Sequence, residues 1–217
     1  MTHAPDERPD LPEYMTWEEL EQLPEDIASC IELWDGRVVW ARRGPGEHQE
    51  ASNLMWSELR RDAKRAMANE PERCWQVRTE TNVFFGHHGK SDFVTPDFMV
   101  HRCLDKAYAH VRADDAVLVG EVLSPSNTAA EMDAKRAKYA AAGIPWYWEV
   151  TLHPRRSEIA YVQAYGLASA TGTLPAGVSP LHKANYLLAD AWSPNDSTHI
   201  AIDFPFPISI PWTELSL

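Results

Sequence analysis

Residues 116–148 read AVLVGEVLSPSNTAAEMDAKRAKYAAAGIPWYW, and this stretch decides the fold. Ala116 to Leu123 is a nearly unbroken apolar run rich in Val and Leu, the pattern of a central strand covered on both faces. Ser124-Pro125-Ser126-Asn127 ends the run. A helix is predicted from about Ala129 to Ala142, stopped by Gly143 and Pro145. Trp146, Trp148, Val150 and Leu152 then alternate with Tyr147, Glu149 and Thr151, which predicts a half-buried strand.

Downstream, Ser157 to Tyr165 is expected to pair with that strand after the His153-Pro154-Arg155 turn. Ala168–Gly177 reads as a surface loop, and Ile200, Ile202 and Phe204 alternate up to Pro205-Phe206-Pro207, where proline confines a strand to an edge. Upstream, strands are expected at Trp75–Val77, Thr81–Phe85 and Asp97–His101. From His48 to about Asn69, Met55, Leu59, Ala63, Ala66 and Met67 recur at helical spacing, with Glu58, Arg60, Arg61, Lys64 and Arg65 on the other faces. Ile31–Trp34 and Arg37–Trp40 flank Asp35-Gly36, a hairpin signal. Thr16-Trp17-Glu18-Glu19 is a capping-box pattern that starts a short helix. Residues 1–13, rich in Pro and acid, read as a flexible tail ahead of one domain over residues 14–217. The order of elements gives a mixed α/β domain.

Of the 217 residues, 44% are hydrophobic and 24% charged, which supports a real core and excludes disorder of the whole chain. No apolar run approaches the ~20 residues of a membrane span, and the acidic N-terminal arm does not resemble a signal peptide. Cys30, Cys74 and Cys103 lie far apart and form no CxxC. They argue against a disulfide scaffold and a structural zinc site, and fit a cytoplasmic protein. The first 36 residues hold eleven acids against one base, Arg8, so most of the formal net charge of −12 belongs to this arm. The body is near neutral and can still present a local basic face, which leaves nucleic acid possible as a partner.

The chemistry centres on Pro96-Asp97, on Glu121 and on Lys135. Glu121 is an ionisable side chain in a run that otherwise wants burial, so it needs a cation or a proton. If the strand holding Asp97 lies beside the one holding Glu121, two carboxylates converge at a sheet edge. Such oxygen ligands suit a hard cation like Mg²⁺. The plainer alternatives are that Glu121 pairs with an Arg or Lys, that Asp97 caps a turn, and that Lys135 makes an exposed pair with Glu131. Tyr139 is read as packing under the sheet.

The segment Glu121-Val122-Leu123-Ser124-Pro125-Ser126, then Lys135, Tyr139, Ala140, Gly143, Ile144, Pro145, Tyr147 and Trp148, resembles the Uma-two family of putative restriction endonucleases, a branch of the PD-(D/E)XK nuclease superfamily. Ile31 to Gly36, His48-Gln49, Pro96-Asp97 and Pro205-Phe206-Pro207 fit in the same order, so the likeness extends over about residues 14 to 210. The resemblance implies a restriction-endonuclease-like mixed sheet flanked by helices, with an extra N-terminal hairpin and C-terminal strands. It also implies that Asp97 and Glu121 bind Mg²⁺ or Mn²⁺, helped by the carbonyl of Val122. The superfamily lysine usually follows the acid by two residues, where Leu123 stands here; Lys135 on the next helix is the matching position. Glu32 matches an outer-shell position, and His48 and Glu80 match further polar ones. An acid is more usual at Arg37, Trp146 and Thr151.

The activity implied by the resemblance is metal-assisted hydrolysis of DNA. Its rivals are an inactive nuclease-fold binding or assembly module and a phosphodiesterase acting on RNA. Lys138 could substitute for Lys135 or face solvent, and the C-terminal apolar edge makes a homo-oligomer plausible. Arg60, Arg61, Lys64 and Arg65 could track a phosphate backbone or form a solvated helix face. His87-His88 reads as a loop. No HExxH, Walker-type loop or GxSxG occurs in the chain.

Overall fold

The structure, a computed structural model, describes residues 9–41, 44–86, 88–123, 127–169 and 184–217. In chain order come α1 (Trp17–Leu20), α2 (Glu25–Ala28), β1 (Ile31–Trp34), β2 (Arg37–Trp40), α3 (Gly46–Asn69), β3 (Trp75–Thr79), β4 (Val83–Phe84), β5 (Phe93–Val94) and β6 (Phe98–Arg102). Next are β7 (Val111–Arg112), β8 (Ala116–Leu123), α4 (Ala129–Ala141), β9 (Trp146–Leu152), β10 (Ile159–Ser169), β11 (Ala184–Trp192), β12 (His199–Ile202) and β13 (Ile208–Pro211). Residues 1–8 of the expected tail, His87, Ser124-Pro125-Ser126 and residues 170–183 lie outside the described residues.

Six strands form the main sheet in the order β11-β10-β9-β8-β6-β3. β8 pairs in parallel with β9 and antiparallel with β6. The parallel pair is joined through α4, the crossover that such a connection requires. Val119, Tyr147 and Met99 pack with Tyr139 and Ile144 on the α4 side, while Phe98, Leu118, Trp148 and Val150 pack with Met55, Leu59 and Ala63 of α3 on the other. β8 is therefore buried along its length except at Leu123. Gly120 is required at its centre: a Cβ there would come 2.0 Å from the ring of Phe98, its cross-strand partner.

β9 departs from the expected half-buried pattern. Tyr147 and Glu149 are as buried as Trp148 and Val150, because α4 covers the face that alternation assigned to solvent. β10 also runs on to Ser169, into the start of the expected surface loop. A smaller sheet, β2-β1-β5-β4-β7, lies beside the first, and its hairpin turns through Asp35 and Gly36, both at positive φ. Each of α1 and α4 is closed by a capping box, Thr16 with Glu19 and Thr128 with Glu131. β12 and β13 pair as a separate hairpin. Among the described residues, no helix is long and apolar enough to cross a membrane.

The expectation against a disulfide is overturned at one place: Cys74 and Cys103 are bonded to each other. They are 29 residues apart in sequence, but the antiparallel register that pairs Trp75 with Arg102 brings the preceding and following residues face to face. Cys30 is free.

Candidate active site

Two strand ends and one helix assemble the acidic cluster. One step beyond the Phe98–Gly120 pair, the antiparallel register of β6 and β8 sets Asp97 opposite Glu121. The juxtaposition that the sequence left conditional is therefore present. Glu121 shares the face of Val119, which α4 covers, and Lys135 and Tyr139 sit one turn apart on that helix, where side chains four residues apart meet. Lys135 Nζ donates to Glu121 Oε2 at 2.8 Å, and the Tyr139 hydroxyl donates to Glu121 Oε1 at 2.6 Å. Both oxygens of a carboxylate that is 4% exposed are thus engaged. Glu131, the alternative partner of Lys135, turns back to accept from Thr128 in the helix cap.

Glu32 reaches the cluster from β1. It accepts from the Thr95 amide at 3.0 Å and from the Trp34 indole at 2.9 Å, and lies 3.4 Å from Lys135 Nζ. Lys135 therefore bridges two buried carboxylates on different sheets. Asp97 is held from both sides. The Val122 amide donates to its Oδ2 at 2.6 Å, and His48 Nε2 lies 3.0 Å from its Oδ1. Ser52 Oγ donates to the Asp97 carbonyl at 2.8 Å and the Glu80 amide does so at 3.3 Å, which fixes the backbone on which the carboxylate stands. Glu80 is in turn bonded by the side chain of Gln49 at 2.7 Å. Val122, expected to contribute its carbonyl, meets Asp97 through its N–H.

Burial pushes the Glu121 carboxyl up to about 7; Lys135 opposes the shift and the charge of Asp97 adds to it. Burial alone would lower Lys135, but Glu121, Glu32 and Asp97 outweigh it and raise the amine, so it stays an ammonium. His48 behaves in the same way: burial works against its charge, and the Asp97 contact with the charges of Glu121 and Glu80 raises it overall. The cluster is thus four carboxylates, Glu32, Glu80, Asp97 and Glu121, around an ammonium and an imidazole.

Among the described residues, no three His, Cys, Asp or Glu side chains converge closely enough to hold a metal ion by themselves. Asp97 and Glu121 supply hard oxygen donors from adjacent strands. That donor set suits a cation of the Mg²⁺ class, which binds through one or two carboxylates and keeps waters or substrate phosphate in its other positions. The residues present fit such an ion.

Lys138 is not part of the cluster. Its ammonium pairs with Asp92 at 2.6 Å and Asp35 at 3.2 Å and lies over the Phe85 ring, on the wall of a separate cleft of about 630 Å³. Two of the four helix-face bases are committed to structure: Arg61 pairs with Glu58 and with Asp62, and Arg65 with Asp62, whose buried carboxylate accepts the Ser209 amide and ties α3 to β13. Sequence reasoning placed Tyr139 under the sheet, where it is fully buried, but missed its bond to Glu121. It also missed a second buried acid. Glu149 stands beside Glu121 in the parallel register and accepts from Arg136 at 2.5 Å and from Tyr147 at 2.8 Å. The one signal for it was an acid directly after the aromatic run Trp146-Tyr147-Trp148.

The chain matches the model of the Uma2 family, described as "putative restriction endonuclease", over residues 17–177, a span that contains every member of the cluster. Among solved structures it is similar to that of a "putative nuclease belonging to DUF820" from Anabaena variabilis ATCC 29413. The TM-score is 0.57 at 16% identity, covering 93% of this chain and 97% of that one, and the likeness is one of fold. No curated protein matches the chain in sequence.

Proposed function

This chain belongs to the Uma2 family of putative restriction endonucleases, and on that premise we propose that it is a divalent-cation-dependent nuclease that hydrolyses phosphodiester bonds of DNA. The observation that carries the reading is the convergence of Asp97 and Glu121 from adjacent strands with the ammonium of Lys135 on Glu121. Asp97 and Glu121 would hold Mg²⁺ or Mn²⁺. A cation held there would supply Lewis-acid polarisation of a phosphoryl oxygen and a water nucleophile near neutral pH.

The remaining chemistry belongs to the chain's own groups. Lys135 remains protonated, so it acts as a donor: it orients the attacking water or neutralises charge growing on the phosphate, and it is not the base. Glu32 holds that ammonium within reach of Glu121. The Val122 amide and His48 hold the two oxygens of Asp97, and Tyr139 holds the second oxygen of Glu121, so both carboxylates are oriented before any ligand arrives. In hydrolysis one P–O bond forms to water as another breaks, leaving a phosphate monoester and a hydroxyl end. Leu123 at the usual lysine position favoured an inactive module; Lys135, reaching the same carboxylate from α4, supports the active reading instead.

The test is incubation of supercoiled and single-stranded DNA with Mg²⁺ or Mn²⁺, beside Asp97→Asn and Glu121→Gln. Cleavage by the parent that both substitutions abolish is the expected result. Cleavage that survives both refutes the site, and no cleavage of any substrate by the parent refutes the nuclease reading.

A further inference from the structure

Beside the candidate metal site stands a second buried ion pair that the proposed hydrolysis leaves unused. Glu149 is opposite Glu121 in the parallel register of β8 and β9, and the two carboxylates lie on the face that α4 covers, at 3% and 4% exposure. Consecutive residues of that helix meet them: Lys135 Nζ donates to Glu121 Oε2 at 2.8 Å, and Arg136 Nη2 donates to Glu149 Oε1 at 2.5 Å. A tyrosine hydroxyl completes each pair, Tyr139 on Glu121 and Tyr147 on Glu149, and Tyr165 reaches the second Glu149 oxygen at 3.3 Å. We propose that Arg136 and Glu149 are positioning residues for the hydrolysis: their ion pair sets the register of α4 over the sheet and so delivers the Lys135 ammonium to Glu121. The proposal deepens the nuclease reading and rests on it.

Apolar packing alone gives this helix little grip on the sheet. Six of the 13 residues of α4 are alanine, and only Met132, Tyr139 and Ala140 are buried. Short side chains make shallow ridges, and burial has no direction, so neither fixes how far the helix slides along the strands. Directed polar contacts do. A slip of one residue carries a side chain about 1.5 Å along the helix axis and about 100° around it, which would break both ion pairs at once. Two neighbouring strands held by two neighbouring helix residues thus fix α4 in translation and in rotation.

The two pairs differ in chemistry, which suits them to different tasks. Arg136 is always charged and presents a rigid fork. Besides Glu149 it engages Asp133 Oδ1 at 3.1 Å, and its Cζ lies 5.3 Å from the centroid of the Tyr165 ring and 5.8 Å from that of Tyr147. Lys135 is a flexible ammonium shared between Glu121 and, at 3.4 Å, Glu32. Arg136 also gives Glu149 a counterion of its own. Without it, a second buried carboxylate would stand unpaired under the same helix and compete for the Lys135 ammonium, one strand away from where hydrolysis needs it. A buried ion pair adds little net stability over apolar residues of similar volume, and specifying register is its best-attested use.

The test separates register from stability. In the full-length protein carrying Arg136→Met together with Glu149→Leu, apolar side chains of similar size replace the pair, and Tm should match or exceed the parent's. Cleavage of DNA with Mn²⁺ should nevertheless show kcat lowered by roughly 10- to 100-fold, the scale of a misplaced catalytic group, with KM little changed. The ζ-ammonium signal of Lys135 is followed by NMR in the metal-free protein and identified by its absence in Lys135→Ala. It should be sharp in the parent and shifted, or lost to solvent exchange, in the double variant. Parent-like kcat, a loss confined to KM, or an unmoved Lys135 signal in the folded double variant overturns the proposal, as does a Lys135 signal absent from the parent. If the double variant does not fold, Glu149→Gln, which keeps the shape and the hydrogen bond without the charge, is read in the same two ways and by the same criteria. If the parent cuts no substrate, the nuclease reading fails, and the Lys135 signal alone decides whether the pair places the ammonium.

Discussion

Replacing Tyr139 by Phe removes one oxygen from a fully buried ring and leaves the packing of α4 on the sheet unchanged. The lost group donates to Glu121 Oε1 at 2.6 Å. A hydrogen bond to a charged acceptor is worth ~1.5–3 kcal/mol, and the orphaned oxygen cannot reach water. A loss of about 2 kcal/mol lowers Tm by about 4–8 °C in a domain of this size. The same bond favours the charged form of Glu121, so its removal pushes a carboxyl already held at about 7 further up. Protons then compete more strongly with the cation. Mn²⁺ affinity should fall by about tenfold at pH 7, the lower end of what loss of a supporting hydrogen bond costs, and the gap should narrow toward pH 9 as the proton leaves. Thermal unfolding and Mn²⁺ titration by calorimetry at several pH values read both effects. A Tyr139→Phe protein with the parent's Tm and the parent's Mn²⁺ affinity at every pH would refute the reasoning.

Lys135→Ala should lower kcat by about 10²–10³-fold, as loss of a donor to developing charge does, without weakening Mn²⁺, because the ammonium shares Glu121 Oε2 with any cation. A parallel loss of Mn²⁺ affinity would mean that Lys135 organises the site instead. In the metal-free protein, His48 should titrate above 6.5 and His101 below it. His101 is fully buried, with Arg78 donating to its Nε2 at 3.0 Å, so its contribution to stability is present above pH 6.5 and lost as pH falls through its folded pKa. NMR titration of the ring protons checks both directions, and the reverse order would contradict the described contacts. Reduction of Cys74–Cys103 should cost about 3–4 kcal/mol on a chain-entropy basis for a 29-residue separation. A urea midpoint unaffected by dithiothreitol, while Cys74→Ser lowers it, would show that the bond is absent in solution.

Local signals carried the elements well where they were self-contained. The apolar run of β8, the capping box and Gly143 stop of α4, and the Asp35-Gly36 turn each specify their own geometry from neighbouring residues. Tertiary covering decided what they could not. Glu149 alternates as a solvent-facing residue does, and only the position of α4 over that face buries it beside Arg136 and Tyr147. Asp97 and Glu121 were candidates by type, but their meeting depends on β6 lying next to β8, which no stretch of either strand encodes. Cys74 and Cys103 were misjudged for the same reason, since register between β3 and β6 sets their separation. Lys135 was singled out by family resemblance; its spacing to Glu131 fitted a surface pair equally well, and the helix cap claimed Glu131 instead.

A crystal of the protein soaked in Mn²⁺ and measured at the manganese absorption edge tests the central claim most directly. The account predicts an anomalous peak between the carboxylates of Asp97 and Glu121, absent in Asp97→Asn. A metal-loaded crystal with its manganese elsewhere, and nothing between those two side chains, would contradict it.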